Sequence, residues 1–202
     1  MRLKFSALLA TVLSLLIILG CSSKTTVSRI EPDVITDLSG RWNDTDSRLV
    51  SEEMILDCLN HPWLRKHVTA NGKKPVVIVG SIRNKSMEHI PTDTFIGDIE
   101  RAFINSGEVE VVANALERLD IRDERSDQEQ FASPETIKRM RDELGADYMM
   151  TGLINSIEDQ ASGEKAVFYQ TDLTLINIET NAKTWIGQKK IKKYIAKGKY
   201  SP

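Results

Sequence analysis

Cysteine and histidine are scarce in this chain of 202 residues, with Cys21 and Cys58 the only cysteines and His61, His67 and His89 the only histidines. That scarcity excludes a disulfide scaffold, and it leaves the scattered histidines short of the neighbouring ligands a metal site needs. Neither a G-x-S-x-G elbow nor a Walker loop occurs, so no nucleophile–base pair declares itself. An excess of one charge is also missing. Lys and Arg number 27 against 29 Asp and Glu, a net charge of −2, which offers no basic footprint for nucleic acid. Asp44 and Asp46 in "NDTD" could contact calcium, but an EF-hand-like loop also needs a Gly at its sharp turn and a downstream Glu in register. Asp46 is better explained as a helix cap. These absences lead us to expect no enzyme, no cofactor and no metal, and no internal repeat or low-complexity segment is present.

What is present starts at the N-terminus. Arg2 and Lys4 precede an uncharged apolar stretch, Ala7 to Leu19, which halts at Gly20-Cys21 before two serines. This layout is that of a secretory signal peptide, too short to span a bilayer as a mature helix. The residues Ile18-Leu19-Gly20-Cys21 resemble the lipobox of bacterial lipoproteins, in which the cysteine is acylated and becomes the mature N-terminus. Each buried methylene adds about 0.8 kcal/mol, so several acyl chains on Cys21 would hold the protein to a membrane far better than one. Ser22 stands where an aspartate would favour retention at the inner membrane, so the resemblance implies the periplasmic face of the outer membrane.

Removal of residues 1–20 takes away Arg2 and Lys4 and no acid, leaving 25 bases, 29 acids and a net charge of −4. The remaining 182 residues suffice for one domain with a real core. Cys58 would then be the sole thiol, and its neighbours Leu56 and Leu59 suggest a small buried core residue.

Residues 21–37 read as a short polar tether and 38–202 as the globular domain. From Ser47, apolar residues at Leu49, Val50, Met54, Ile55 and Leu59 recur at helical spacing, with Thr45 or Asp46 as the expected N-cap. "HPWLRKHV" predicts a turn and a short second helix. "VVIVGSI", Val76 to Ile82, is an almost unbroken apolar run, as in a strand covered on both faces. Thr92 or Asp93 is expected to cap a helix carrying Phe95, Ile99, Ala102 and Phe103, ended by Gly107. "EVEVVA" reads as a short strand, and the charged stretch after it as helical only in part. Ser133-Pro134-Glu135 predicts a further helix to Leu144-Gly145. "ADYMMTGLINSIED" is a strand, and two alternating segments around "ETNAK" form a β-hairpin. The expected class is α/β (α+β): a single domain with a mixed sheet, a C-terminal antiparallel hairpin and covering helices.

The segments "LSGRWNDTDSRLV", "VVIVGSIRNKS", "FIGDIERAFINSGEVEVV", "GADYMMTGLI" and "TNAKTWIGQKKI", in that order, resemble the LpoB family. The resemblance runs from about Leu38 to Ile195 and rests on the sum of these segments and the lipobox. It implies a fold like the N-terminal domain of TolB. It also implies an outer-membrane lipoprotein that binds and activates a class A penicillin-binding protein, a peptidoglycan synthase. One departure is the tether. Ser22 to Asp37 extends to about 50 Å at most, where the family's best-known arrangement has a long Pro-rich linker. The alternative is a non-catalytic envelope or secretion-assembly lipoprotein of the CsgG and TolB type.

Three surface features stand out, and none identifies partner contacts. "RNKS", Arg83 to Ser86, follows the first strand, where α/β folds place functional loops, though a solvated connector reads the same way. "KKIKK", Lys189 to Lys193, suits an edge strand guarded against aggregation, or a surface near an anionic glycan or phospholipid. Trp42, Trp63 and Trp185 read as packing residues, and an exposed one among them would be a contact candidate.

Overall fold

Among the described residues, nine elements follow one another from Asp44. Helices α1 (Asp44–Asn60) and α2 (Pro62–Asn71) lead into strand β1 (Val76–Asn84). Helix α3 (Thr92–Ser106), the two-residue strand β2 (Glu110–Val111) and helix α4 (Ala115–Phe131) come next. Three strands of equal length close the fold: β3 (Tyr148–Ala161), β4 (Glu164–Asn177) and β5 (Lys183–Ala196). The computed structural model describes residues 26–31, 34–136, 138 and 142–196. The apolar leader, the lipobox and Cys21 lie outside the described residues, and the folded unit begins at Ile35.

The sheet is mixed, in the order β2-β1-β3-β4-β5. β1 runs parallel to both β2 and β3, while β4 is antiparallel to β3 and β5. Val76 to Val79 are buried in succession, and from Gly80 onward β1 alternates between core and surface. The β3–β4 turn uses positive φ at Ser162 and Gly163, which matches the right-handed twist of the strands it joins.

Helices α1 and α3 pack on one face of this sheet. Val50, Met54, Ile55 and Cys58 of α1 and Phe95, Ile99 and Phe103 of α3 meet Met150, Ile154, Tyr169, Leu173 and Leu175. Full burial of a side chain of this size contributes about 1.5–3 kcal/mol. Gly152 lets β3 and β4 close: a Cβ there would stand 2.6 Å from the Asp172 carbonyl oxygen and 2.5 Å from Leu173.

The expected order of elements holds from α1 through the hairpin, with four corrections. Helix α1 starts at Asp44, and its N-cap is Asn43 rather than Thr45 or Asp46. Asn43 Oδ1 accepts from Asp46 N at 3.0 Å while Asp46 Oδ2 accepts from Asn43 N at 2.9 Å, a reciprocal capping box that fixes Asp46 one turn inside. Leu49 and Leu56 face solvent on α1 (Leu56 is 63% exposed), so Cys58 is buried with Met54 and Ile55 and not beside Leu56. Helix α3 is preceded by Pro91, with no side-chain cap from Thr92 or Asp93.

The fourth correction concerns the stretch after β2. The charged segment forms the full helix α4, capped reciprocally by Asn114 and Glu117, although it buries none of its residues. Of the helix expected from Ser133 to Leu144, the described residues hold only a turn, closed by Thr136 N to Ser133 O at 3.0 Å, and irregular chain. The rest of it lies outside the described residues.

Candidate interaction surface

The chain joins its domain through a clasp of charged and aromatic side chains. Lys193, on the core-facing side of β5, donates to Asp37 Oδ1 and Asp46 Oδ2 at 2.6 Å each, and to the Arg41 carbonyl at 3.1 Å. Burial pulls this ammonium toward its neutral form, but Asp37 and Asp46 more than reverse that and hold it above the usual lysine value. Lys193 in turn keeps the Asp37 carboxyl below the usual carboxylate range. Asn43 Nδ2 ties the same corner to Thr36 O and Asp37 Oδ1, at 3.3 and 2.9 Å.

The clasp continues into the core. Trp42 lies edge-on to Phe95 and Tyr169, and its Nε1 donates to Ser47 Oγ at 2.8 Å. Glu88 joins the loop after β1 to both aromatic groups, accepting from Trp42 N at 3.1 Å and from Tyr169 OH at 2.6 Å. Burial, with the Glu88 carboxylate as acceptor, pushes the Tyr169 phenol well above its ordinary value. It is a fixed donor at any physiological pH.

The sheet face opposite α1 and α3 is differently made. Register places Ile157, Phe168 and Lys192 side by side, then Gln170 beside Lys190, Asp172 beside Gln188 and Thr174 beside Ile186. Gln170 and Gln188 both donate to Asp172, at 2.8 Å each for their shortest contacts, so this carboxylate is already matched. Ile157, Ile186 and Tyr194 are exposed, as are Lys190 and Lys192, and neither lysine has an ion-pair partner among the described residues. Arg83 is also exposed and lines a hollow of about 390 Å³ with Thr151, Asp172 and Lys183.

A second hollow, of about 460 Å³, lies between α1 and β5, lined by Met54, Leu56, Asp57 and Asn60 on one side and Trp185 and Gly187 on the other. The Trp185 indole lies across Gly187, where a Cβ would stand 2.2 Å from the ring, and its Nε1 donates to Asp57 Oδ2 at 2.9 Å. Lys189 pairs with Glu53 on the rim.

The candidate residues of the sequence separate accordingly. "RNKS" is divided: Arg83 ends in the open, whereas Asn84 and Ser86 build the turn, Asn84 donating to Glu88 O at 2.7 Å and accepting from Ser86 N at 2.9 Å. "KKIKK" is divided too. Lys189 and Lys193 turn inward to acids, a role that edge protection does not describe, and Lys190 and Lys192 turn outward. Trp63 and Trp185 are buried and Trp42 is half-buried, so all three pack. Asp46 is engaged by Lys193 and Asn43, and Asp44 is exposed in the first turn of α1.

His67 is buried with Nδ1 3.1 Å from Tyr148 OH and Nε2 3.7 Å from Asp147, while His61 and His89 are exposed. Among the described residues no three His, Cys, Asp or Glu side chains gather where a metal could bind. Ser162 and Lys165 have the S-x-x-K spacing of penicillin-binding enzymes, but Ser162 is a residue of the β3–β4 turn, and Lys165 on β4 is paired with Glu158 at 2.8 Å. Burial pushes the Cys58 thiol up to about 12, far from a reactive thiolate.

These side chains belong to one mixed α/β domain, a five-stranded sheet with helices on one face. The chain belongs to the LpoB family, the peptidoglycan-synthase activators, whose family model matches residues 46–191. Members of this family act on an enzyme and are not enzymes themselves. Among solved structures, the LpoB C-terminal domain from Salmonella enterica is 18% identical over 67% of this chain and 94% of its own, with a TM-score of 0.32. The C-terminal domain of LpoB from Escherichia coli is 18% identical, covering 64% of this chain and 93% of its own, with a TM-score of 0.34. Lipoprotein GNA1162 from Neisseria meningitidis is 13% identical over 59% of this chain and 83% of its own, with a TM-score of 0.39. A search of curated proteins finds no match. The family assignment rests on the family model.

Proposed function

We propose that this chain is a lipoprotein of the outer membrane, held through an acylated Cys21 at its periplasmic face, that binds a class A penicillin-binding protein and raises its rate of glycan polymerisation. The observation that carries the reading is the family match over residues 46–191, which spans every element from α1 into β5. The charged start, apolar core and Ile18-Leu19-Gly20-Cys21 cut site support the anchor. A regulator of this kind needs only about 1–3 kcal/mol of coupling between its docking site and the synthase's active state to change the rate five-fold or more. The domain itself needs no catalytic group. Because Lys193 and Asn43 hold Asp37 and Thr36 to the domain, the reach from Cys21 is set by the residues ahead of Thr36, about 46 Å at full extension.

The test is glycan polymerisation by each class A synthase of the source organism, with and without the purified domain from Ile35. Acceleration of one of them is expected, and no acceleration of any would overturn the activator reading. The anchor is tested separately by Cys21→Ser with acyl labelling and fractionation. The variant should lose the label and leave the membrane fraction or stay as precursor, and unchanged labelling and membrane recovery would refute the anchor.

A further inference from the structure

Strand β5 lies at the edge of the sheet, with β4 as its one neighbour. Its free side runs for 14 residues, longer than most strands, and among the described residues no backbone group pairs with it from outside the sheet. Such an edge is a ready template for another extended chain. The hollow of about 460 Å³ is lined by α1 and by β5, Gln188 on the other face of the strand included, and by no residue of β4. An added strand would therefore have a helix beside it as well as a strand to pair with.

The two faces of that added strand would meet different chemistry. Side chains of a β-strand point alternately to opposite faces. On the α1 side they would meet Met54, Leu56, Trp185 and Gly187, with Glu53 paired to Lys189 on the rim and the exposed Asp57 carboxylate accepting from the Trp185 indole. On the other side they would meet Lys190 and Lys192, which are exposed and have no ion-pair partner among the described residues. A second copy of β5 fits this badly, because antiparallel pairing of two such strands would set lysines against lysines.

We propose that α1 and β5 form a strand-accepting groove, which takes up an extended segment of a partner protein in which apolar and acidic residues alternate. The apolar residues enter the hollow beside α1, the acidic ones pair with Lys190 and Lys192, and the backbone completes the sheet. The inference rests on the reading that this chain acts through a protein partner and names how that partner docks.

The probe is a synthetic peptide of about eight residues, a length within the usual range for a strand, alternating Val and Glu. A Val/Lys peptide of equal length is the control. Binding of the Val/Glu peptide should slow amide hydrogen exchange along β5 and leave β2, at the other edge, unchanged. Lys190→Glu combined with Lys192→Glu should weaken that peptide on the order of tenfold, from lost and reversed cross-strand charge pairs, and make Val/Lys the better ligand. Both lysines are solvent-exposed, so the variant keeps its fold. Absent protection of β5, an unchanged ranking of the two peptides, or protection that grows with protein concentration alone would each overturn the groove. A charge-reversed protein that still accelerates a synthase normally would sink the groove and spare the activator reading. Uptake of the Val/Glu peptide by a protein that accelerates no synthase would do the opposite.

Discussion

Replacing Lys193 with Met keeps most of the unbranched side chain and removes the charge that Asp37 and Asp46 share. Taking one partner from a buried ion pair costs about 3–5 kcal/mol, because a carboxylate is left in the interior without its cation. Two features of this site place the cost at the low end. Asp37 is 50% exposed on its side chain and can hydrate, and Asp46 keeps its bond from Asn43 N. A loss of about 3 kcal/mol is expected at pH 7, which for a domain of this size lowers Tm by roughly 6–12 °C.

The pH dependence has a definite sign. Asp37 has its pKa depressed in the folded protein, so its contribution is present above the unfolded value, about 3.9, and is lost as pH falls through the lower folded value. The difference between Lys193→Met and the parent should therefore shrink below about pH 4. Lys193 has its pKa raised, so its own contribution is whole below the unfolded value, about 10.4, and fades as pH rises through the folded one. Urea unfolding at pH 7 and at pH 3, with Asp46→Asn added to form a double-mutant cycle, measures the cost and its acid limb, and a further series above about pH 10 measures the Lys193 limb. The second substitution should cost little once Lys193 is gone. A loss under about 0.5 kcal/mol, the usual effect of an unimportant surface change, or a difference constant across that pH range, would refute the account of the clasp.

Cys58 should react with thiol reagents only after denaturation, because burial both hides it and pushes its pKa to about 12. Labelling of the native domain within minutes would contradict that, and Cys58→Ala should cost about 1 kcal/mol. Gly152→Ala should destabilise by about 1–3 kcal/mol as an overpacking change, since the carbonyl of Asp172 on the paired strand cannot withdraw without breaking the ladder. Thermal melting within error of the parent would refute the close approach of β3 and β4 at this glycine.

The strands were the most legible part of the sequence because their signal is local. β1 carries an apolar run, and β4 and β5 alternate strictly between buried and open positions, as the hairpin pattern predicts. Helix α3 was equally plain, with Phe95, Ile99 and Phe103 on one face. Helix α4 was not, because a helix that buries nothing has no apolar stripe to read. Its signal was Asn114 followed three residues later by Glu117. The start of α1 is ambiguous in the sequence because four capping residues, Asn43 to Asp46, stand in a row, and the reciprocal pair Asn43–Asp46 decides among them.

Lys193 was the instructive miss. It shares its parity with Trp185, Gly187 and Ile191, so the alternation of β5 already placed it on the core side. What the sequence could not disclose was its partner, for Asp46 stands 147 positions away. The groove beside α1 is of the same kind, being made by two elements from opposite ends of the domain.

The clasp at Asp37 also sets how the domain carries load. Tension on the chain ahead of Ile35 reaches the Asn43 and Lys193 contacts before it meets the core side chains of α1. Lys193 hands that force to β5, whose ladder to β4 runs its whole length. These contacts are therefore the link that a pull on the tether loads, ahead of the hydrogen bonds of α1. A protein stretched between a fixed point and a moving one would take up the strain there first.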